Sequence, residues 1–257
     1  MEAAGAQARR IHSKNGRSSL NNREGEAVRE VPAVGVAMPA AGLGVRMGGV
    51  RKPFLELNGE PILRHSLRPF LEHPRVRALA VALCEEDYLE PPEWLVSIDP
   101  RILLVKGGAS RGKSVWAAIQ ALPQEVELVA VHDAARPLVT GAIIDRCIQE
   151  AAKGRGAVAG WPAVDTLKQV GEGDRIRATL RREGVWHAQT PQVFPREMVE
   201  RAYREAFESG TSDTDDSALV ERLGGEVVMV KGSSSNLKVT RPQDLPLAEL
   251  LLGGKAG

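Results

Sequence analysis

The segment "PAAGLGVRMGGVRKPFLELNG", residues 39–59, sets five glycines, two arginines and a lysine directly after an apolar, strand-like run. Glycine-freed backbone N–H groups at the start of a helix bind phosphate oxygens, and nearby cations such as Arg46 and Lys52 add charge to the same anion. The ligand expected here carries phosphates. The spacing is not G-x-x-x-x-G-K-[ST], because Lys52 follows a second glycine pair and Pro53 comes next, so a P-loop NTPase is not indicated. The dinucleotide fingerprint is also incomplete, since Met47 stands where its third glycine or alanine belongs. Two further stretches carry chemistry. "GGASRGKS" (107–114) is a glycine turn running into a helix start, and "HDAARP" places Asp133 just after a buried strand. A carboxylate at such a strand end can hold magnesium or a substrate hydroxyl, or it can pair with Arg136. Among five histidines no Ser/His/Asp or Cys/His arrangement is evident. His132 reads as structural.

These residues need a scaffold, and the pattern around them supplies one. "AVGVAMPA", "VRALAVALC", "ILLVKGG" and "LVAVHDAARPLV" are apolar runs that read as buried strands. They alternate with "PILRHSLRPFLEH", "SRGKSVWAAIQAL" and "TGAIIDRCIQEAAKG", whose apolar positions repeat at helical spacing. That alternation predicts a doubly wound α/β sheet, with ligands beyond the carboxyl ends of its strands. One segment breaks it. "VDTLKQVGEGDRIRATLRREGVWHAQTPQVF" has two extended stretches about a Gly-Glu-Gly-Asp turn and reads as an inserted hairpin. An isolated hairpin is marginally stable, so a second subunit is its expected support. The final stretch, "GGEVVMVKGSSSNLKVTRPQDLPLAELLL", predicts two more strands and a closing helix.

Composition narrows the class. A chain of 257 residues, 43% hydrophobic and 26% charged, can bury a full core as one domain. Its net charge of +1 creates no bulk field for nucleic acid or a membrane surface. Cys84 and Cys147 lie far apart with no CxxC or Cys/His cluster, which argues against a disulfide framework or a zinc site and for a reduced, cytoplasmic setting. No apolar run is long enough to cross a bilayer, and no signal peptide opens the chain. Residues Met1 to Glu30 hold few large apolar side chains and no period, so they are expected to form a disordered extension before the domain at 31–257. Four glutamates in that stretch argue against an organelle transit peptide.

Taken in order, AVGVAMPAAG, GxGxRMG, the lysine before FLELNGEPIL, GGASRGKSV, VHDAARP, DTLK, AQTPQ, TDDSALVE and NLKVTRPQDL resemble the 2-C-methyl-D-erythritol 4-phosphate cytidylyltransferase family from about Val34 to Leu251. The resemblance implies a nucleotidyltransferase fold of the nucleotide-diphospho-sugar transferase type, with a mixed, mostly parallel sheet. It also implies CTP and methylerythritol phosphate as substrates, magnesium as cofactor, and a homodimer joined through a β-arm at about 164–184. Arg46 and Lys52 would meet the triphosphate, and Arg182 and Lys238 would position the acceptor. Arg182 is selected over Arg181 by its spacing to Thr190. Ala40, Ala41 and Gly42 would lie close around the nucleotide, and Gly107, Gly108, Ala109 and Ser114 would read the cytosine. Asp133, Arg136, Thr166, Thr190 and Thr214 would bind the acceptor, with Asp133 also the metal ligand. Asp215 and Asp216 serve equally well as helix amino-end charges. The implied nucleophile, a phosphate monoester with a second pKa near 6, needs no general base.

Three departures stand out. The usual Pro-Lys-Gln is Arg51-Lys52-Pro53, the stretch from Gly42 to Lys52 is one residue shorter than the common loop, and Ala109 replaces a frequent acidic residue. Pro53 removes an N–H that the usual glutamine would offer. Two other readings stay open: an enzyme for another polyol or sugar phosphate, such as ribitol 5-phosphate, and a non-catalytic nucleotide-binding protein of the same fold.

Overall fold

The computed structural model describes residues 32–42, 51–210 and 215–254. The expectations for Met1 to Glu30 lie outside them. Small and β-branched residues suit a strand buried on both faces, and β1 (Val34–Pro39) lies inside the main sheet. A short hairpin follows, β2 (Glu56–Leu57) and β3 (Glu60–Pro61). Its turn is Asn58-Gly59, both at positive φ (49° and 76°), a backbone that Asn-Gly adopts readily. The chain continues through α1 (Ile62–Leu71), β4 (Val76–Leu83), α2 (Glu85–Leu89), α3 (Glu93–Ser97) and β5 (Ile102–Lys106). Next come α4 (Arg111–Ala121), β6 (Leu128–Val131), α5 (Gly141–Ala151) and β7 (Gly156–Pro162). The arm strands β8 (Lys168–Val170) and β9 (Ile176–Thr179) precede β10 (Trp186–Pro195), α6 (Arg196–Glu208), α7 (Asp216–Arg222), β11 (Val227–Lys231) and α8 (Asp244–Gly253).

The sheet has seven strands in the order β11, β7, β10, β6, β1, β4, β5. Its pairings are parallel except at β10, which runs antiparallel to both β6 and β7. This is a doubly wound α/β sheet, as the alternation predicts, and the mixed, mostly parallel one that the family resemblance implies. Helices cover both faces. Leu63, Leu67 and Phe70 of α1 and Ile143, Ile144 and Cys147 of α5 pack on one face with Val34, Val36 and Met38 of β1. Val115 and Ile119 of α4, Val199 and Tyr203 of α6 and Leu219 of α7 pack on the other. A smaller cluster of Leu57, Ile62, Leu138, Val239 and Ala248 seats α8.

Strand order fixes where a ligand fits. From β1 the chain moves outward to β4 and β5, then returns to β6 on the other side of β1. Such a reversal opens a crevice at the strands' carboxyl ends, here bordered by Ala40 to Gly42 after β1 and by His132 and Asp133 after β6. Ser66 of α1 donates to the Ala134 carbonyl at 2.8 Å and so ties that end of β6 to the helix layer.

The predicted hairpin is present: β8 and β9 pair antiparallel with each other and with no other described strand. Val164, Val170, Ile176 and Leu180 are exposed along it. The closing region departs from expectation, because only Val227–Lys231 forms a strand there and "NLKVT" (236–240) is irregular. The reason is local. Its polar groups are held by separate anchors, with Val239 N–H donating to the Ala135 carbonyl at 2.8 Å. The Asn236 amide donates to the Thr190 carbonyl at 2.9 Å. No neighbouring strand among the described residues offers a ladder.

Candidate active site

Two small-residue loops meet at the crevice. Ala40 N–H donates to the Ala82 carbonyl at 2.8 Å and Gly107 N–H to the Leu83 carbonyl at 2.7 Å, so each loop starts from a strand end fixed by β4. A Cβ on Gly107 would sit 2.6 Å from the Ala41 Cβ, and one on Gly108 would sit 2.4 Å from the Lys113 Cβ. Glycine is required at both because the backbones approach too closely for a side chain. Gly108 N–H donates to Ser114 Oγ at 3.1 Å, and that hydroxyl lies 3.0 Å from the Ser110 carbonyl. Ser114 is buried and shapes this loop, while Gly42 and Ala109 are exposed beside it. Ser110 caps α4 by accepting from Lys113 N–H at 3.2 Å, which leaves the amino end of that helix at the crevice.

Charge gathers at the end of β6. Asp133 takes Arg111 Nε on Oδ1 at 3.1 Å and Lys238 Nζ on Oδ2 at 2.8 Å, with Arg136 Nε 3.7 Å from Oδ2. Burial alone would raise its carboxyl, but Arg111, Lys238 and Arg136 hold it well below the usual carboxylate range. Arg136 also donates to the Asn236 carbonyl at 2.7 Å. The far side of Arg111 meets Asp216 in a two-pronged contact, Nη1 at 3.0 Å and Nη2 at 2.9 Å, and the Tyr203 hydroxyl donates to the same carboxylate. Three cations thus face two carboxylates, which leaves the cluster net positive. An anion is the complementary ligand.

Lys52 reaches the same region. Its Nζ donates to the Thr240 carbonyl at 3.1 Å, two residues from Lys238, so two lysines 186 positions apart in sequence converge on one short segment. Thr190 is buried, and its hydroxyl accepts from Asp133 N–H at 3.1 Å while lying 3.0 Å from His132 Nδ1. It orients the Asp133 loop. Thr166 and Arg182 sit on the exposed arm, where Arg182 donates to the Val164 carbonyl at 2.7 Å. Neither is joined to the Asp133 cluster among the described residues. Arg46 and Thr214 lie outside those residues.

Sequence reading missed Arg111, Tyr203 and the role of Asp216. Asp215 is the helix cap, accepting from Ala218 N–H at 3.0 Å. Asp216 is fully buried and binds Arg111 instead. The one signal for it was the acidic pair itself, since one helix end needs only one capping carboxylate. The magnesium reading of Asp133 meets a specific geometry: both its oxygens already face cations, and no group of three His, Cys, Asp or Glu is assembled among the described residues. Without a three-ligand set among the described residues, the donor set fits magnesium best when the ion arrives on the phosphates of a nucleotide, its common mode.

His132 is fully buried against this network, and burial pushes its imidazole down to about 4. The unfolded chain binds a proton near the ordinary value of 6.5, so stability from neutral His132 is present above pH 6.5 and lost as pH falls toward 4. Unfolding free energy measured at pH 7 and pH 4.5 should drop by about 2 to 3 kcal/mol more in the wild type than in His132→Asn. Equal drops would contradict it.

The family model described as 2-C-methyl-D-erythritol 4-phosphate cytidylyltransferase matches residues 34–254. Proteins of that name from Solibacter usitatus and Symbiobacterium thermophilum are similar to this chain. The first is 44% identical over 240 residues, covering 87% of this chain and 97% of its own. The second is 45% identical over 229 residues, covering 88% and 95%. The crystal structure of 2-C-methyl-D-erythritol 4-phosphate cytidylyltransferase from Thermus thermophilus superposes with a TM-score of 0.72 at 32% identity, over 85% of this chain and 98% of that one. With its sheet, its paired small-residue loops and its cationic crevice, this chain belongs to the 2-C-methyl-D-erythritol 4-phosphate cytidylyltransferase family.

Proposed function

We propose that this protein transfers CMP from CTP to 2-C-methyl-D-erythritol 4-phosphate, releasing pyrophosphate and 4-CDP-2-C-methyl-D-erythritol, a step in isoprenoid precursor synthesis. The observation that carries it is the convergence of Lys52, Lys238, Arg111 and Arg136 on Asp133 and the 238–240 segment, at the carboxyl end of β6. An oxygen of the acceptor phosphate attacks the α-phosphorus of CTP, a new P–O bond forms, and the bond to the β-phosphate oxygen breaks with pyrophosphate as leaving group. The nucleophile is already largely dianionic at neutral pH. No base has to remove a proton, so the low proton affinity and occupied ring nitrogens of His132 are no obstacle.

The barrier is an anion approaching a polyanion. Preorganised cations lower it by meeting charge where it develops, in a site that excludes water. Lys52 is assigned to the α-phosphoryl group together with Arg46, and Lys238 to the acceptor phosphate. Asp133 holds Lys238 and Arg111 in place. Magnesium carried by the triphosphate would neutralise further charge on the phosphates.

The chain acts as a homodimer in this reading. The arm pairs only with itself among the described residues and leaves Val164, Val170, Ile176 and Leu180 exposed, which suits a second copy that covers them. Thr166 and Arg182 then complete the partner's acceptor site. A cytoplasmic setting agrees with two free cysteines and with the lack of any helix, among the described residues, long and apolar enough to cross a membrane.

Pyrophosphate release with CTP, UTP, ATP and GTP against methylerythritol phosphate and ribitol 5-phosphate tests the assignment. Release is expected with CTP and methylerythritol phosphate. Faster release with ribitol 5-phosphate would move the acceptor, and CTP binding without release from either acceptor would leave a binding protein.

A further inference from the structure

Lys52 opens a single 3₁₀ turn, Lys52–Phe54, with Pro53 buried inside it. Two backbone bonds hold that turn, Phe54 N–H to the Arg51 carbonyl at 3.1 Å and Leu55 N–H to the Lys52 carbonyl at 3.2 Å. So short a turn has poor hydrogen-bond geometry and does not fix a lysine's direction by itself. Side chains on either side tie it down. Phe54 meets Trp94 of α3 edge-on, ring centroids 6.5 Å apart. Arg51 spreads its guanidinium over α2, with Nη1 on Asp87 and Nη2 on Glu86.

The two acids are unequal. Glu86 is 76% exposed, so its ion pair contributes little. Asp87 is 6% exposed, and its second oxygen accepts the Cys84 thiol at 3.0 Å. A buried carboxylate engaged at both oxygens has one orientation, and it gives Arg51 a rigid post.

We infer that Arg51 is a positioning residue: by gripping Asp87 in α2 it holds the start of the Lys52 turn and aims Nζ across the crevice at the 238–240 segment. This rests on the assignment of Lys52 to the α-phosphoryl group. An arginine beside a phosphate loop can instead touch the triphosphate directly, but here both prongs of the fork are spent on carboxylates.

A double-mutant cycle separates these roles. Arg51→Ala, Asp87→Asn and the double variant are compared for kcat, for KM of each substrate and for Tm, with Lys52→Ala alongside. Each single change should lower kcat about tenfold, the order expected when a reacting group is slightly misplaced, with the acceptor KM unchanged. The double variant should lose about the same tenfold rather than a hundredfold, because both changes break one contact. Arg51→Lys, which keeps the charge without the fork, should recover part of the rate. Additive losses, a fully active Asp87→Asn, or a raised CTP KM with intact kcat in Arg51→Ala would overturn the clamp. An inactive Lys52→Ala beside an additive cycle removes the clamp alone. A Lys52→Ala with normal turnover removes the role of Lys52, and the clamp falls with it. Should Arg51→Ala fail to fold, the same cycle run with Arg51→Lys decides.

Discussion

Lys52→Ala is expected to cut turnover by roughly 30- to 1,000-fold, about 2 to 4 kcal/mol of activation free energy, while CTP binds nearly as before. The asymmetry follows from where charge appears. In that assignment the ground-state triphosphate would be shared among loop amides and several cations, so one lysine would be a small part of its binding. At the transition state the negative charge grows around the α-phosphorus, and Lys52, held from the Thr240 side at 3.1 Å, is in the set assigned to meet it. An interaction made chiefly in the transition state lowers kcat and kcat/KM together when removed. Steady-state kinetics with a direct measurement of CTP affinity reads both quantities. Equal losses in turnover and affinity would show that Lys52 binds nucleotide uniformly and does no more.

Much of this scaffold is legible in the sequence because its elements are long enough to show a period. The strands around Val34, Ile102 and Leu128, and the one from Val76 after its Arg77, are apolar runs, and the helices from Ile62, Arg111 and Gly141 repeat at helical spacing. The arm is legible through its Gly-Glu-Gly-Asp turn. By contrast α2 and α3 have five residues each, too few for periodicity to register. "NLKVT" misleads because β-branched residues raise strand propensity without supplying a partner strand. In the site, the glycine loops and Lys52 stand out by spacing. The Arg111–Asp216 pair does not, because its members are 105 positions apart and meet only when α7 is laid against the amino end of α4. Charge pairing at that range is a product of topology. Thr190 and Ser114 illustrate the same limit, since only the folded chain shows their hydroxyls turned inward to shape the loops.

A mixed-subunit experiment should restore activity to two variants that have little of their own. Lys52→Ala and Arg182→Ala homodimers are each expected to be nearly inactive, the first for the reason above and the second through loss of acceptor binding. Arg182 is exposed on an arm whose strands pair only with each other among the described residues, and the apolar side chains beside it are uncovered within one chain. If that arm crosses a two-fold axis, each active site takes Lys52 from one protomer and Arg182 from the other. Unfolding the two variants together and refolding them gives heterodimers in about half of the molecules. Each heterodimer then has one site with both defects and one with neither, so the mixture should recover roughly a quarter of wild-type activity. Were Arg182 to serve its own protomer, every site would keep one defect and no activity would return. Mass measurement of the refolded mixture confirms that heterodimers formed, and a mixture no more active than its parents would then refute the crossed arm.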